Sequence, residues 1–173
     1  VWVLQRDSDD STRLAWDSGA IDVQADEELL LVNGLDAPQP VTLYRTEHGP
    51  VISGGAALPG RDQAMVLHWT GGGDDRNVLA SLLALNRAAS WGDFRDALED
   101  WAGPAVNVLY ADTAGNIGYQ LAGSVPVRAA GDDGALPVPV AGSSDAWRGV
   151  IPFDDLPHAF NPADGVIITA NQR

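Results

Sequence analysis

The sequence contains no cysteine and no lysine. Without cysteine there is no disulfide, no thiolate-bound zinc, no iron–sulfur cluster and no thiol nucleophile. Without lysine, all 10 basic residues are arginines; set against 24 carboxylates, they leave a formal net charge of −14. These arginines form no basic cluster of the kind that grips a phosphate backbone or an anionic headgroup. Neither nucleic acid nor a membrane surface is therefore expected as a partner. Long hydrophobic runs are missing too: none approaches the ~18–20 residues of a helical membrane span.

What is present is a chain of 173 residues, 45% hydrophobic, long and apolar enough to build a core. No internal repeat or composition break divides it, so residues 1–173 are expected to form a single domain. Val1 opens neither a signal peptide nor an ordinary start, and the stretch reads as internal to a longer protein.

Residues 1–60 read as β structure. Leu29–Val32 is an apolar run closed by Asn33-Gly34, a pair suited to a turn with positive φ. Val41–Thr46 alternates as a half-buried strand does, His48-Gly49-Pro50 breaks it, and Val51-Ile52 resumes. A further strand is predicted over 64–69, ending at Gly71-Gly72-Gly73. Two helices follow. In the first, capped by Asp75 or Asn77, Val78, Leu79, Leu82, Leu83 and Leu85 make a broad apolar face. The second opens with the capping-box variant Ser90-Trp91-Gly92-Asp93, aligns Phe94, Ala97, Leu98 and Trp101, and stops at Gly103-Pro104. Strands at 107–112 and 117–121, reversing at Thr113-Ala114-Gly115, predict a hairpin. The stretch 126–162 holds six of the eleven prolines and is expected to be a long ordered loop with apolar anchors. Val166–Thr169 reads as a last strand. The fold class that results is α+β, mostly antiparallel β with an inserted helical pair.

The common catalytic signatures are absent: there is no Gly-x-Ser-x-Gly elbow, no phosphate-binding Gly-x-x-x-x-Gly-Lys loop and no His-Glu-x-x-His helix. His48, His68 and His158 are far apart, and structural roles suit each; a serine esterase using His48 or His158 is the catalytic alternative. The pairs Asp9-Asp10, Asp74-Asp75, Asp132-Asp133 and Asp154-Asp155 lack the alternating ligand spacing of an EF-hand. Two aspartates directly after Gly71-Gly72-Gly73 would repel an anion held by its amides. Asn171 follows an apolar run. There a side-chain amide serves either a turn or, by donating an N–H, an oxyanion.

Collinear segments carry a resemblance. Tyr44-Arg45-Thr46-Glu47-His48-Gly49-Pro50-Val51, Tyr110 to Tyr119 with Gly123 and Pro126-Val127-Arg128, Leu136-Pro137-Val138-Pro139, Trp147-Arg148-Gly149, Ile151-Pro152-Phe153, Asn161-Pro162 and Gly165 to Asn171 together resemble the penicillin acylase family of N-terminal-nucleophile hydrolases. The match runs from about residue 40 to the end. It implies an internal segment of the second, β chain of a self-cleaving precursor, and hence part of an αββα sandwich. The remaining α and β chain would be its partners, and a small acyl amide, such as a β-lactam or an acyl-homoserine lactone, the substrate.

In such an enzyme the serine at the head of the second chain attacks an amide carbonyl, its own α-amine acting as base. Neither that serine nor the carboxylates that usually bind the family's calcium would lie in residues 1–173, so no cofactor is expected here and calcium only in the whole protein. Asn171 falls at the family's oxyanion asparagine, while Val106 and Leu85 fall where parts of its acyl pocket lie, with plain core packing as their other reading. Asn107, Asp112, Asn116, Gly118 and Arg128 are expected to hold turns and loops. The whole protein would be a secreted or periplasmic amidohydrolase, the segment alone inactive. The alternative is a non-catalytic binding or structural domain on the same scaffold.

Overall fold

The computed structural model describes residues 1–10, 12–17, 19–53, 62–71, 78–101 and 103–170. In chain order its strands are β1 (Trp2–Gln5), β2 (Arg13–Trp16), β3 (Gly19–Asp22), β4 (Gln24–Leu30), β5 (Gln39–Thr46), β6 (Gly49–Pro50), β7 (Gln63–Val66), β8 (Val106–Ala111), β9 (Ile117–Ala122), β10 (Val138–Pro139) and β11 (His158–Phe160). Helices α1 (Val78–Leu85) and α2 (Trp91–Glu99) lie between β7 and β8, and a 3-10 turn spans Phe153–Asp155. Every described strand pair is antiparallel except β1 with β10. The class is α+β with an inserted helical pair, as the residue pattern predicts. The chain divides into two compact units, Val1–Gly72 with Arg128–Arg148, and Gly73–Val127 with Gly149–Arg173.

In the first unit β1 is the middle strand of the sheet β10-β1-β7. Its two-residue period sends Trp2 and Leu4 inward, opposite Val66 and Ala64 of β7, and all four are buried. Leu14 and Ile21, paired across β2 and β3, complete this core together with Val140. Burying each such side chain contributes about 1.5–3 kcal/mol. Strand β5 pairs with β4 on one side and β6 on the other. The Asn33-Gly34 turn forms with Gly34 at φ +90° and the Leu35 N–H donating to the Val32 carbonyl. The run Leu29–Val32 is not wholly strand, because β4 stops at Leu30, and its leucines stand exposed. Gly49 sits at φ +130°, and a β-carbon there would collide with the Leu67 carbonyl, so glycine is required at this reversal. Strand β7 ends at Val66 rather than at Trp69, because the Leu67 N–H turns aside to the Pro50 carbonyl.

In the second unit α2 forms as its sequence predicts. The Ser90 hydroxyl accepts the Asp93 N–H, and Phe94, Ala97 and Leu98 are buried. The Asp93 carboxylate accepts the Ala89 N–H at 3.0 Å, which completes the reciprocal cap one residue earlier than the usual pattern. Helix α1 departs from expectation. Ser81 is its buried residue and Leu85 packs against this unit's core, whereas Leu79, Leu82 and Leu83 of the predicted face are exposed. Its predicted caps Asp75 and Asn77 lie outside the described residues. The predicted β8–β9 hairpin forms, with Val106 to Ala111 paired antiparallel to Ala122 to Ile117, and β11 adds a third strand beside β9 from within the proline-rich stretch. Val166–Thr169, predicted as a strand, belongs to no described strand. It keeps the alternation, with Ile167 and Thr169 half-buried between exposed Val166 and Ile168.

Candidate functional site

The residues singled out for chemistry fall mostly in the second unit. Leu85 and Val106 come together there: both are half-buried against the cluster of Phe94, Leu98 and Ala122, which Trp91, Val108 and Tyr110 also join. Val106 is directly opposite Ala122 in the hairpin. Asn171 lies outside the described residues, so the segment leading toward it is described as far as Ala170.

That segment starts from a hydrogen-bonded junction. Asp112 closes the β8–β9 turn: its Oδ1 accepts the Ala114 and Asn116 N–H groups at 2.9 and 3.0 Å, and its Oδ2 accepts the Asn116 amide at 2.7 Å and the Tyr110 hydroxyl at 2.9 Å. Gly115 supplies the positive φ, +87°, that the turn demands. Donation from the Asn116 side chain, first, and its N–H hold the Asp112 carboxyl below the usual carboxylate range. Asn116 then passes the connection on, its Oδ1 accepting the Asn161 amide at 2.8 Å. Asn161 spends its own Oδ1 on the Ile117 N–H, and its N–H donates to the Ile117 carbonyl, both at 2.9 Å. It is the one non-glycine at positive φ, +46°, among the described residues, a conformation asparagine tolerates better than most.

Beyond this junction Gly165, Val166 and Ile167 lie along the hairpin. With Leu109, Tyr110, Ala111, Ile117 and Gly118 they line a mostly apolar, open groove of about 390 Å³. Gly118 also admits Trp91, for a β-carbon there would stand 2.8 Å from its Cε3. Further along β9, Gln120 is fully buried, accepts from Arg95 Nε at 2.9 Å and donates to the Leu121 carbonyl. Arg95 in turn reaches Asp154 at 2.8 Å and covers the Phe153 ring, tying the 3-10 turn to α2.

Among the described residues the histidines assemble no triad. His68 and His158 each direct Nδ1 at a main-chain carbonyl, of His48 at 2.7 Å and of Leu156 at 2.8 Å. A carbonyl only accepts, so each Nδ1 must carry the proton. His48 Nε2 is buried with no hydrogen-bond partner among the described residues, so none of their serine hydroxyls is bonded to it. His48 and His68 sit instead among Trp2, Trp16 and Trp147, with His68 stacked 3.9 Å from Trp2, and burial pushes the His68 ring below its usual pKa. Arg128 lies 3.9 Å from an Asp132 oxygen and over Trp147, a loop-pinning role of the kind its position predicts. Among the described residues no three histidines or carboxylates converge as metal ligands.

Sequence reasoning gave no role to Asn161, Gln120 or Arg95. The signal for Asn161 is local, an asparagine directly before a proline at the end of a strand; Gln120 and Arg95 are joined only by tertiary contact.

The chain as a whole is similar to known proteins. The family model for penicillin amidase matches residues 1–173. Penicillin G acylase of Escherichia coli is 34% identical over 148 residues, 84% of this chain and 16% of that protein. Acyl-homoserine lactone acylase QuiP of Pseudomonas syringae pv. syringae strain B728a is 32% identical over 149 residues, 86% of this chain and 18% of that protein. The solved structure of thermostable penicillin G acylase from Alcaligenes faecalis superposes with a TM-score of 0.84 at 26% identity, covering 99% of this chain and 30% of that one. The chain thus spans less than a fifth of the length of these two curated relatives.

Proposed function

This chain belongs to the penicillin amidase family of N-terminal-nucleophile hydrolases, and we propose that it serves an enzyme hydrolysing the linear amide bond of an acylated small molecule. The observation that carries the reading is the structural match, which runs through nearly the whole chain at family-level identity. β-Lactams and acyl-homoserine lactones are the substrate classes, as the names of the similar proteins suggest.

In this reading the nucleophile, a serine with a free α-amine, lies outside residues 1–173. Attack on the amide carbonyl builds negative charge on its oxygen. The Asn171 carboxamide donates an N–H to that oxygen, a neutral donor that holds the charge without titrating. Val106 and Leu85 form part of the wall for the acyl group, their half-buried apolar side chains suiting an aromatic or aliphatic chain. The rest of the acylase α and β chains would complete the site, and the whole protein would act in the periplasm or outside the cell. Any calcium would be held by carboxylates elsewhere in that protein, and no step here runs through it.

The test is expression of the full-length protein, a check for self-cleavage, and comparison of phenylacetyl, glutaryl and long-chain acyl amides as substrates. Asn171→Ala should still self-process but lose roughly 10²–10³-fold in kcat. Full turnover by that variant would remove the donor role. Failure of the parent to self-cleave or hydrolyse any of the three amides would leave a binding or structural domain on an acylase scaffold.

A further inference from the structure

Strand β8 ends its sheet: the order is β11-β9-β8, and β8 pairs with β9 alone. Which of its main-chain groups face outward follows from the bonds at the turn. The Asp112 N–H donates to the Asn116 carbonyl, and along an antiparallel pair bonded and non-bonded residues alternate. Tyr110, Val108 and Val106 therefore turn their N–H and C=O toward β9, while Ala111, Leu109 and Asn107 turn theirs away. β9 shows the same alternation. Ile117 and Leu121, opposite Ala111 and Asn107, direct their main chain to the far side, where the Ile117 carbonyl accepts the Asn161 N–H and the Leu121 N–H donates to the Pro157 carbonyl. Among the described residues no main-chain group bonds to the outward N–H and C=O of Asn107, Leu109 and Ala111.

Folded proteins guard such edges with charge, proline or shortness, because an open ladder accepts any extended segment. The other edges described here are guarded. β4 carries Asp26, Glu27 and Glu28; β6 and β10 have two residues each, one of them Pro50 or Pro139; β11 has three residues. β2 and β3 have four each, with Arg13 and Asp22 at their ends, and β7 is met on its outer side by Val51. β8 has none of these guards. Its six residues hold neither charge nor proline, in a chain with 24 carboxylates, and Leu109 stands exposed among them. Polypeptide to cover it is abundant in the family: the match to the solved acylase takes in 99% of this chain but 30% of that one, so more than two-thirds of such a protein is further chain.

We propose that β8 is an interior strand in the whole protein, its outer edge hydrogen-bonded to an uncharged, extended strand contributed by polypeptide outside residues 1–173. Asn107, Leu109 and Ala111 supply the rungs, and Leu109 packs beside an apolar side chain of the incoming strand, the pairing that stabilises neighbouring strands. This requires only that the chain be part of a longer family member, and it is independent of the role given to Asn171.

The experiment is hydrogen exchange of the purified full-length protein, read residue by residue by mass spectrometry. The amides of Asn107, Leu109 and Ala111 should exchange on the order of a hundredfold or more slower than in an unstructured peptide, as those of Val108 and Tyr110 do. Fast exchange at the three outward amides beside slow exchange at Val108 and Tyr110 overturns the proposal. Protection that falls away on dilution overturns it too, since the covering strand would then come from a second copy. A pair of variants checks the bond itself. Leu109→Ala and Leu109→Pro remove the same apolar side chain, but only proline removes the outward N–H, and proline is tolerated on an edge whose N–H faces water. In the full-length protein Leu109→Pro should melt well below Leu109→Ala or fail to fold where Leu109→Ala folds. Equal thermal midpoints would mean that the N–H has no partner and would overturn the assignment.

Discussion

At residue 118 a missing side chain is what the structure uses. Gly118 lies opposite Tyr110 in the hairpin and receives the Trp91 ring, so Gly118→Ala must push Trp91 off the sheet. Overpacking of this kind costs about 1–3 kcal/mol, and urea unfolding of the protein should show the midpoint falling with an unchanged slope. Asp112 offers a test by pH. Its bonds from Asn116, Ala114 and Tyr110 depress the folded-state pKa, so its stabilising contribution is present above the ordinary carboxylate value of about 4 and is lost as pH falls through the lowered one. Thermal midpoints followed downward from pH 5 should drop for the native sequence and drop less steeply for Asp112→Asn. Equal slopes in the two proteins would remove Asp112 from the account. The importance of Asp112 to its own turn was legible in the sequence, since aspartate at that place bonds the following N–H groups. Its connection to Asn161 was not, because nothing local links a turn to a residue 49 positions on.

The two helices differ in how far local sequence controls them. Helix α2 carries its start signal in Ser90 and Asp93 and its buried stripe in Phe94, Ala97 and Leu98, and both are realised. Ser90→Ala should remove the bond to the Asp93 N–H and cost about 1 kcal/mol, read as a lower thermal midpoint; no change would mean that Asp93 alone suffices as a cap. Helix α1 was legible as a helix, but not in its exposure. Five large apolar residues in eight, with two alanines besides, specify a helix that wants covering on more than one side, and sequence cannot say which sides its own unit covers. The segment 166–169 shows the same limit from the β side. Its alternation is real, but a strand exists only where a partner supplies the ladder.

Over the chain as a whole the exposed apolar residues are the leading physical fact: Leu31 at 87%, Ile168 at 82% and Leu83 at 57% of full exposure lie far apart in sequence. Surface of this kind seeks cover. The 173-residue chain produced by itself should sediment as associated species, bind an apolar dye and hydrolyse no acyl amide, and the pair Leu31→Gln with Leu83→Gln should reduce the association; a monodisperse, dye-silent chain would contradict this. The pattern of residues by itself determined the class of the fold, the hairpin with its turn, the caps and core stripe of α2 and, through collinear short motifs, the family. These are local or are written in order along the chain, where propensity and period act directly. Only the tertiary structure decided which apolar faces are buried, placed Leu85 and Val106 in one cluster, and brought Asn116 to Asn161. Burial and long-range hydrogen bonds depend on which segments meet, and that choice is made by the summed free energy of the packed chain rather than by any stretch of it.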